Sequence, residues 1–339
     1  MNKSKTNEKV RKLWAPITWI VLVALLLSGC AKNQQPKVYH VGILNTNANF
    51  AAIGTGFKTE MAALGYVEGK NVVYVQGAAS TDPAEAQRQA KTLVDDKVDL
   101  IVAFPAPETV AAYQATQGTN IPVVCAYAQL DGTNLIKSVT NPGGNMTGVR
   151  YPGPETVDKR LETMLQIAPN VKRIWIGYDK NGPNTAIALA ALRPLASSMG
   201  VKLVEVPATT QADLAADLAA RANLADIGID AIIIMPDDFN ASPDGFAVIS
   251  KFAADHKIPL AGGLPWMIQK GAIFANGPDL AAIGKQAADS ADEVLKGTAV
   301  GTIPVVTPNQ QLYINYKLAQ GLGLTVPVGL LSEAAQIIR

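Results

Sequence analysis

The amino-acid sequence predicts an α/β protein with two doubly wound parallel-sheet lobes that are joined by hinge crossovers. Short, almost wholly apolar runs alternate with helical segments of roughly ten to fifteen residues, as in repeated β–α–β units. The same order of segments also occurs twice. The run "VYHVGIL" at residue 38 is matched by "VKRIWIG" at 171, and "VDLIVAF" at 98 is matched by "IDAIIIM" at 229. This internal similarity indicates one ancestral unit used twice.

The first lobe is predicted to begin with a strand over 38–44. The helical segment "GFKTEMAALGY" follows, with Gly65 as its C-cap. After the strand "NVVYVQG", the segment "DPAEAQRQAKTLVDDK" should form a helix with Thr81 or Asp82 as N-cap and Pro83 in its first turn. "VDLIVAF" and "IPVVCAYA" supply two further buried strands.

The second lobe repeats this order with the strands "VKRIWIG", "VKLVEVP", "IDAIIIM" and "KIPLAGG", and with Gly200 capping its first helix. The segments after it, "GAIFANG", "DLAAIGKQAADSADEVLKG" and "YKLAQGLGL", should return to the first lobe and cross back. We therefore expect an N-terminal lobe of residues 38–149 plus about 278–305, and a C-terminal lobe of 150–277 plus about 306–339.

The N-terminus has the pattern of a secretory signal. Five basic residues and one acid precede an apolar run over 17–27, which is shorter than the roughly 20 residues that a spanning helix needs. The following Leu27-Ser28-Gly29-Cys30 resembles the bacterial lipobox. Residues 1–29 are thus predicted to be a lipoprotein signal peptide, Cys30 a lipidated anchor and 30–37 a linker. An ordinary signal peptide with a coincidental cysteine, or an uncleaved anchor, is the alternative.

Composition excludes several functional classes. Without residues 1–29 the net charge changes from +1 to −3, and no basic stripe is left to suggest nucleic-acid binding. Cys125 lies in an apolar run and is interpreted as a buried small hydrophobe. With only His40 and His256, a histidine-rich metal site is excluded and a cysteine–histidine nucleophile is disfavoured. We predict no catalytic residues, no metal and no cofactor.

Ligands of open α/β sheets bind at the carboxyl ends of the strands. The loops at these ends combine amide, hydroxyl and carboxylate groups with aromatic rings, as small-molecule pockets do. The candidate ligand-binding residues are Thr46, Asn47, Asn49, Phe50, Ala106, Tyr127, Gln129, Asn184, Thr185, Asp237, Asp238, Asn240 and Trp266. For any one of them, ordinary turn chemistry is the alternative.

The charges in these loops restrict the ligand. Asp237 and Asp238 could bind an ammonium or a hydroxyl group, or one of them could cap the following helix. Lys180 is the one evident cation, and no arginine occurs in these loops. A multiply charged anion is therefore disfavoured. We expect a small neutral or zwitterionic solute with an apolar or planar part, first of all an amino acid.

Several segments, among them "GFKTEMAALGYVEGKNV", "NPGGNMTGV", "GIDAIIIMPDD" and "QLYINYKLAQGLGLTVP", together resemble the solute-binding lipoproteins of ABC transporters. The resemblance spans about residues 38–328 and is to the subgroup of tryptophan- and tyrosine-type binders with the type 1 periplasmic-binding fold. It implies that Asn184-Thr185 matches an Asn-Ser pair, and that Asp237 or Asp238 matches an acid suited to an amino group. Ala106-Pro107, Gly182-Pro183 and Asp131-Gly132 depart from the family pattern.

The resemblance implies that the ligand is captured between two closing lobes and delivered to a permease, without chemistry on the ligand. We therefore expect a monomeric, extracytoplasmic solute-binding component of an ABC importer. Its partners would be a small molecule, the ABC permease and ATPase subunits, and the membrane through a lipid anchor that faces the periplasm or the cell exterior. A lipid-anchored sensor subunit for a membrane receptor is the alternative. A hydrolase is disfavoured, because no nucleophile–base pair can be named.

Overall fold

The computed structural model describes residues 37–339 except Thr81, Pro83, Asp131, Pro154 and Pro183. The predicted signal peptide, Cys30, most of the linker and the candidate N-cap Thr81 lie outside the described residues, as do Asp131 and Pro183 of the family comparison. Among the helices that are described, none combines the length and the apolar character needed to cross a bilayer.

The first sheet has five parallel strands in the order β2-β1-β3-β4-β5. Strands β3 and β4 are buried at every residue, because both faces of the sheet are covered by helices. The strands are β1 Tyr39–Leu44, β2 Val72–Gln76, β3 Leu100–Ala103, β4 Val123–Ala128 and β5 Met146–Arg150.

Three helices of the first lobe follow its strands: α1 Ala51–Ala63, α2 Glu85–Asp95 and α3 Ala106–Ala115. Ile53, Phe57 and Met61 of α1 are spaced four residues apart and pack on one face of the sheet. The helices α2 and α3 cover the opposite face, in a second cluster that contains Leu93 and the predicted buried Cys125.

The second sheet has seven strands in the order β12-β11-β10-β9-β8-β6-β7. Its strands are β6 Arg173–Asp179, β7 Lys202–Ala208, β8 Ala231–Ile233, β9 Leu260–Gly262, β10 Phe274–Pro278, β11 Gln310–Asn315 and β12 Ala334–Ile338. The pairing is parallel except between β10 and β11, which are antiparallel. The prediction of a parallel sheet is thus confirmed for most of the sheet. It does not hold at β10–β11, because β10 leads the chain out to the first lobe and β11 brings it back.

Helices cover both faces of the second sheet. One cluster joins α4 and α5 to the sheet, and another joins α6 and α8 to it through Trp175, Leu214 and Phe246. The remaining helices, in chain order, are α4 Glu155–Ile167, α5 Thr185–Ser198, α6 Gln211–Ala222, α7 Asp238–Ala241, α8 Pro243–Asp255, α9 Leu280–Leu295, α10 Tyr316–Gly321 and α11 Val328–Glu333.

The helix α9 lies in the first lobe although it follows a strand of the second sheet. Gly56 of α1 and Gly284 of α9 allow the two helices to approach closely: a Cβ at Gly56 would lie 2.0 Å from the Ala281 carbonyl oxygen, and one at Gly284 would lie 2.0 Å from that of Ile53. The chain thus passes between the lobes after β5, after β10 and before β11. The precise lobe boundaries given above stay predictions.

Candidate ligand-binding site

A cleft between the two lobes lies at the carboxyl ends of strands from both sheets, where ligands bind in open α/β sheets. The first lobe contributes Phe50, Pro105, Ala106, Pro107 and Tyr127 to its walls, and Tyr151, which directly follows the last strand of that lobe, lies beside them. The second lobe contributes Arg160, Asp179, Gly182, Asn184, Ile234, Met235, Pro236, Asp237, Asp238, Ala241, Gly263, Leu264 and Met267. One side of the cleft is therefore mainly aromatic, and the other combines charged groups with an apolar floor.

The aromatic wall consists of Phe50, Tyr127 and Tyr151. The ring centroids of Phe50 and Tyr127 are 6.0 Å apart, and those of Tyr127 and Tyr151 are 5.3 Å apart at a steep angle. Tyr127 has a left-handed backbone with φ of 72°, which is unusual for a bulky residue, and the pairing of β4 with β5 shifts register there. Such strained positions are typical of functional sites.

Arg160 of α4 is 2 % exposed and belongs to the second-lobe wall. Its Nη1 donates a hydrogen bond of 2.7 Å to the Ile234 carbonyl, and its Nε and Nη2 donate to the Asn276 carbonyl at 3.3 and 3.2 Å. Within the described part of the chain, no carboxylate lies within 4 Å of this guanidinium. Its positive charge is therefore buried without an ionic partner.

Asp237 caps the short helix α7. Its carboxylate accepts hydrogen bonds from the backbone nitrogen of Asn240 at 3.0 Å and from Asn240 Nδ2 at 2.8 and 2.9 Å. Burial raises the pKa of Asp237 to about 7, against the opposing effect of these hydrogen bonds. The sequence leaves two roles open for Asp237 and Asp238, ligand binding and helix capping. Asp237 already has the capping role.

Asp238 is exposed to the solvent of the cleft. Partial desolvation by the surrounding protein nevertheless raises its pKa to about 6. The negative charges of Glu108 and Asp179 add to this shift. Glu108 belongs to the first lobe and is 2 % exposed. Its Oε1 accepts hydrogen bonds from the backbone nitrogen and the hydroxyl of Thr46, whereas its Oε2 is buried with no partner in the part of the chain that the structure describes. Burial raises the pKa of Glu108 as well. Glu108 is not among the residues that line the cleft, but its negative charge acts on Asp238. Acids of both lobes thus lie near one part of the cleft, which favours a cation there.

Six of the thirteen residues predicted from the sequence line the cleft, and seven do not. Those that line it are Phe50, Ala106, Tyr127, Asn184, Asp237 and Asp238. Both the Oδ1 of Asn184 and the hydroxyl of the neighbouring Thr185 are buried, and neither has a hydrogen-bond partner among the residues that are described. Thr185 itself is buried behind the wall, because it begins the helix α5.

The remaining residues have local structural roles. Thr46 binds Glu108, Asn47 caps the turn Ala48–Phe50 by accepting from the Asn49 nitrogen, and Asn49 reaches across the cleft to the second lobe. Asn240 is occupied by Asp237 and by the Gly177 carbonyl, and Gln129 is buried. Trp266 packs edge-on against Phe246 of α8, with ring centroids 5.1 Å apart, so its ring is engaged in the second lobe.

Sequence reasoning missed Tyr151 and Arg160. Lys180 is the evident cation of the loops in the sequence, but it is exposed, and the cation in the cleft wall is Arg160 of the helix α4. One signal was available: Arg160 shares the buried face of α4 with Val157, Leu161 and Met164. An arginine on an apolar helix face is expected to have a buried partner.

Comparison with known proteins gives the same fold and a family. The model for "ABC transporter substrate binding protein" matches residues 41–338. A tyrosine-binding protein of Clostridioides difficile (strain R20291) is 28% identical over 332 residues, which cover 93% of each chain.

Two solved structures are also similar. The ABC domain in complex with L-Trp from Streptococcus pneumonia has a TM-score of 0.80 at 25% identity, over 89% of this chain and 100% of that one. The ligand-free, open structure of a substrate-binding protein with adhesive properties from Clostridium difficile has a TM-score of 0.66 at 26% identity, over 88% and 98%. With its two α/β lobes of the type 1 periplasmic-binding fold, this chain belongs to the ABC transporter substrate-binding protein family.

Proposed function

We propose that this chain is the solute-binding component of an ABC importer and that it captures an amino acid, most fittingly one with an aromatic side chain. The observation that carries the proposal is a cleft in which a buried guanidinium, a group of carboxyls and an aromatic wall face one space. The names of the similar proteins, which concern tyrosine and L-Trp, support the same ligand class. The protein performs no chemistry on its ligand.

The carboxyl groups provide the place for the ammonium. Asp238 is the best candidate for direct contact, because it lines the cleft and because Asn240 already occupies Asp237. Glu108 in the first lobe adds a second carboxyl group, and its Oε2 has no hydrogen-bond partner among the described residues. A ligand ammonium would relieve the repulsion between these acids and would gain charge-assisted hydrogen bonds, which are the strong ones.

The aromatic wall provides the place for the side chain. A planar ring beside Phe50, Tyr127 and Tyr151 could make aromatic contacts worth about 0.5–1.5 kcal/mol beyond the area that it buries. Leu264 and Met267 supply the apolar surface of the opposite wall. Because Trp266 packs away against Phe246, it is not part of this proposal.

Capture would proceed by closure of the lobes. Asn49 Nδ2 donates a hydrogen bond of 2.6 Å to the Ala241 carbonyl across the cleft, as expected of a closed arrangement. The TM-score is also higher with the L-Trp complex (0.80) than with the ligand-free, open relative (0.66), although the identities are nearly equal. Both observations support a hinge that closes over the ligand.

The cellular setting completes the proposal. Cys30 would carry the lipid after cleavage of the signal peptide, so that the monomeric protein is anchored to the cell membrane and faces the periplasm or the cell exterior. There it would pass its ligand to the permease, whose ATPase supplies the energy. Two or more acyl chains are sufficient for stable anchoring, whereas one is not.

Calorimetry of the purified protein with the common amino acids, sugars and nucleosides tests the ligand class. We expect L-tyrosine, L-tryptophan or L-phenylalanine to bind best, and a hundredfold excess over Kd to stabilise the fold by about 2.7 kcal/mol. Saturable binding of a sugar or a nucleoside, with no response to any amino acid, would overturn the proposal. Uptake by cells that lack the gene then separates the importer from a sensor subunit, because only the importer is needed for accumulation of the labelled ligand.

A further inference from the structure

We propose that Arg160 is the receptor for the ligand's carboxylate and that it makes an acid group a requirement for tight binding. This inference rests on the proposed function, because it assigns one end of the amino acid that the cleft would hold. It also orients the ligand: the carboxylate goes to the guanidinium of the second lobe, and the ammonium to the acids around Asp238.

The hydrogen bonds of Arg160 leave part of its guanidinium available. An arginine side chain has five N–H groups. Three bonds are made, one from Nη1 to the Ile234 carbonyl and one each from Nε and Nη2 to the Asn276 carbonyl. Among the described residues, one N–H on Nη1 and one on Nη2 make none of these three bonds, and the Tyr151 hydroxyl lies close to the guanidinium. Two N–H groups on adjacent nitrogens match the two oxygens of a carboxylate.

The charge of Arg160 requires a partner. The side chain is 2 % exposed, and its three hydrogen bonds go to two backbone carbonyls. A buried charge is costly unless it is paired, so the free protein bears a cost that an anionic ligand would remove. The guanidinium also lowers the pKa of Tyr127 and Tyr151 against the larger effect of burial, which places its charge beside the aromatic wall.

Gly263 keeps the approach to this guanidinium open. A Cβ at position 263 would lie 2.8 Å from Nη2 of Arg160 and 3.0 Å from Cζ, so any larger residue would occupy the space beside the charge. Gly263 lines the same cleft, and its backbone φ is one that any L residue can adopt. Its small size is therefore explained by access to Arg160 and not by backbone conformation.

The test compares three probes that differ in their charged groups. L-tyrosine has both groups, tyramine lacks the carboxylate, and 3-(4-hydroxyphenyl)propionate lacks the ammonium; L-tryptophan, tryptamine and indole-3-propionate form a second series. Calorimetry on the wild-type protein should give a Kd for the amino acid at least about a hundredfold lower than for the amine. Equal affinity for amino acid and amine would overturn the inference.

Variants at two positions then locate the effect. Arg160→Gln should weaken the amino acid about a hundredfold and leave the amine almost unchanged, so that their ratio collapses. Arg160→Lys should recover part of this affinity ratio, because lysine keeps the positive charge but lacks the planar pair of N–H donors. Gly263→Ala should reduce the preference for the amino acid over the amine, although Arg160 and its charge are still present. Arg193→Gln, which removes an exposed arginine paired with Glu205, is the matched control and should keep the wild-type ratio.

The ratio of amino-acid to amine affinity also distinguishes a binding role of Arg160 from a purely structural one. Loss of the bonds from Arg160 to Ile234 and Asn276 would weaken all three probes together, whereas the proposed role changes only those with a carboxylate. If no amino acid binds the wild-type protein but the propionates bind in an Arg160-dependent manner, the proposed function fails and this inference stands. If Arg160→Gln and Gly263→Ala leave the ratio unchanged, or if no carboxylate binds at all, the inference is overturned.

Discussion

Asn49 in the first lobe and Ala241 in the second are joined by a hydrogen bond of 2.6 Å from the Asn49 amide to the Ala241 carbonyl, although 192 residues separate them. Asn49 follows β1 and Ala241 ends α7, so the bond spans the opening of the cleft. It joins the two segments that also supply Phe50 and Asp238 to the walls, the turn Ala48–Phe50 and the helix α7. Closure and ligand contact therefore depend on the same two segments.

Removal of this bond should favour the open form. For Asn49→Ala we expect affinity for the amino-acid ligand to fall about threefold to tenfold, mainly through faster release, since a typical hydrogen bond contributes about 0.5–1.5 kcal/mol. Small-angle scattering should show a smaller radius of gyration with ligand for both proteins, and a larger one for the variant without ligand. Asn223→Ala, which removes a bond within α6, is the control. An unchanged release rate, or no compaction with a ligand that binds, would contradict the closing mechanism.

Ligand binding should depend on pH through Asp238. Its pKa stands at about 6 in the free protein, and an ammonium requires the ionised form. Affinity should therefore decrease as the pH falls below 6, by up to about tenfold per unit. Calorimetry from pH 4.5 to 8 measures this decrease. Asp238→Asn should bind more weakly and lose most of the dependence, whereas Asp244→Asn, an exposed acid in the first turn of α8, should behave like the wild type.

The ionised form of Asp238, which should favour ligand binding, should lower the stability of the free protein. Because the folded-state pKa of Asp238 is raised from 3.8 to about 6, the folded state binds this proton more tightly than the unfolded chain does. Its contribution to stability is present below pH 4 and is lost as the pH rises through about 6. Asp238→Asn should thus raise the free energy of unfolding at pH 8 but not at pH 3.5. Denaturant unfolding that shows equal effects at both pH values would contradict this.

The aromatic wall should determine preference among amino acids. Phe50→Ala and Tyr151→Ala should weaken binding of L-tyrosine and L-tryptophan by about threefold to tenfold more than binding of L-leucine, because ring contacts add to the buried area. Trp266→Ala is the matched control: it also removes a large ring, but one that packs on Phe246 outside the cleft walls. A larger loss of selectivity from Trp266→Ala than from the wall variants would show that the wall is assigned incorrectly.

The contact between α1 and α9 should limit substitution at two glycines. Gly284→Ala would place a Cβ 2.0 Å from the Ile53 carbonyl oxygen, so the helices must separate, at a cost of about 1–3 kcal/mol. Gly56→Ala should have a similar effect. Gly321→Ala, in the helix α10 with nothing within 4 Å of its Cβ, should be neutral or slightly stabilising. Urea unfolding measures all three, and equal stabilities would contradict the close contact.

The anchor is tested separately. Cys30→Ser should release the protein from membranes, or leave it held only by an uncleaved signal, because the lipid has no other attachment point in the predicted lipobox. Detergent-phase partitioning and mass spectrometry of the N-terminus provide the measurement. A variant with a cleaved N-terminus that partitions like the wild type would contradict the lipoprotein prediction.

Much of the fold follows from local patterns in the sequence. Apolar runs such as Leu100–Ala103 and Val123–Ala128 alternate with amphipathic helices, and this alternation is sufficient to predict two parallel sheets with a site at the strand ends. Phe50, Asn184 and Asp238 could be placed near the cleft because they lie in the segments that follow the carboxyl ends of strands. Their position depends on chain order and strand direction, and both can be inferred from the sequence.

The direction of each side chain, however, was decided by tertiary structure. Trp266 and Asn240 follow strands just as Phe50 does, but packing on Phe246 and the hydrogen bonds to Asp237 turn them away from the cleft walls. Arg160 comes from a helix and reaches the cleft only because α4 packs against the second sheet, where the carbonyls of Ile234 and Asn276 hold it. Periodicity shows which face of an element is buried. The contacts that a buried side chain makes depend on elements far away in the chain, so the charge that we expect to select the ligand could be located only in the folded protein.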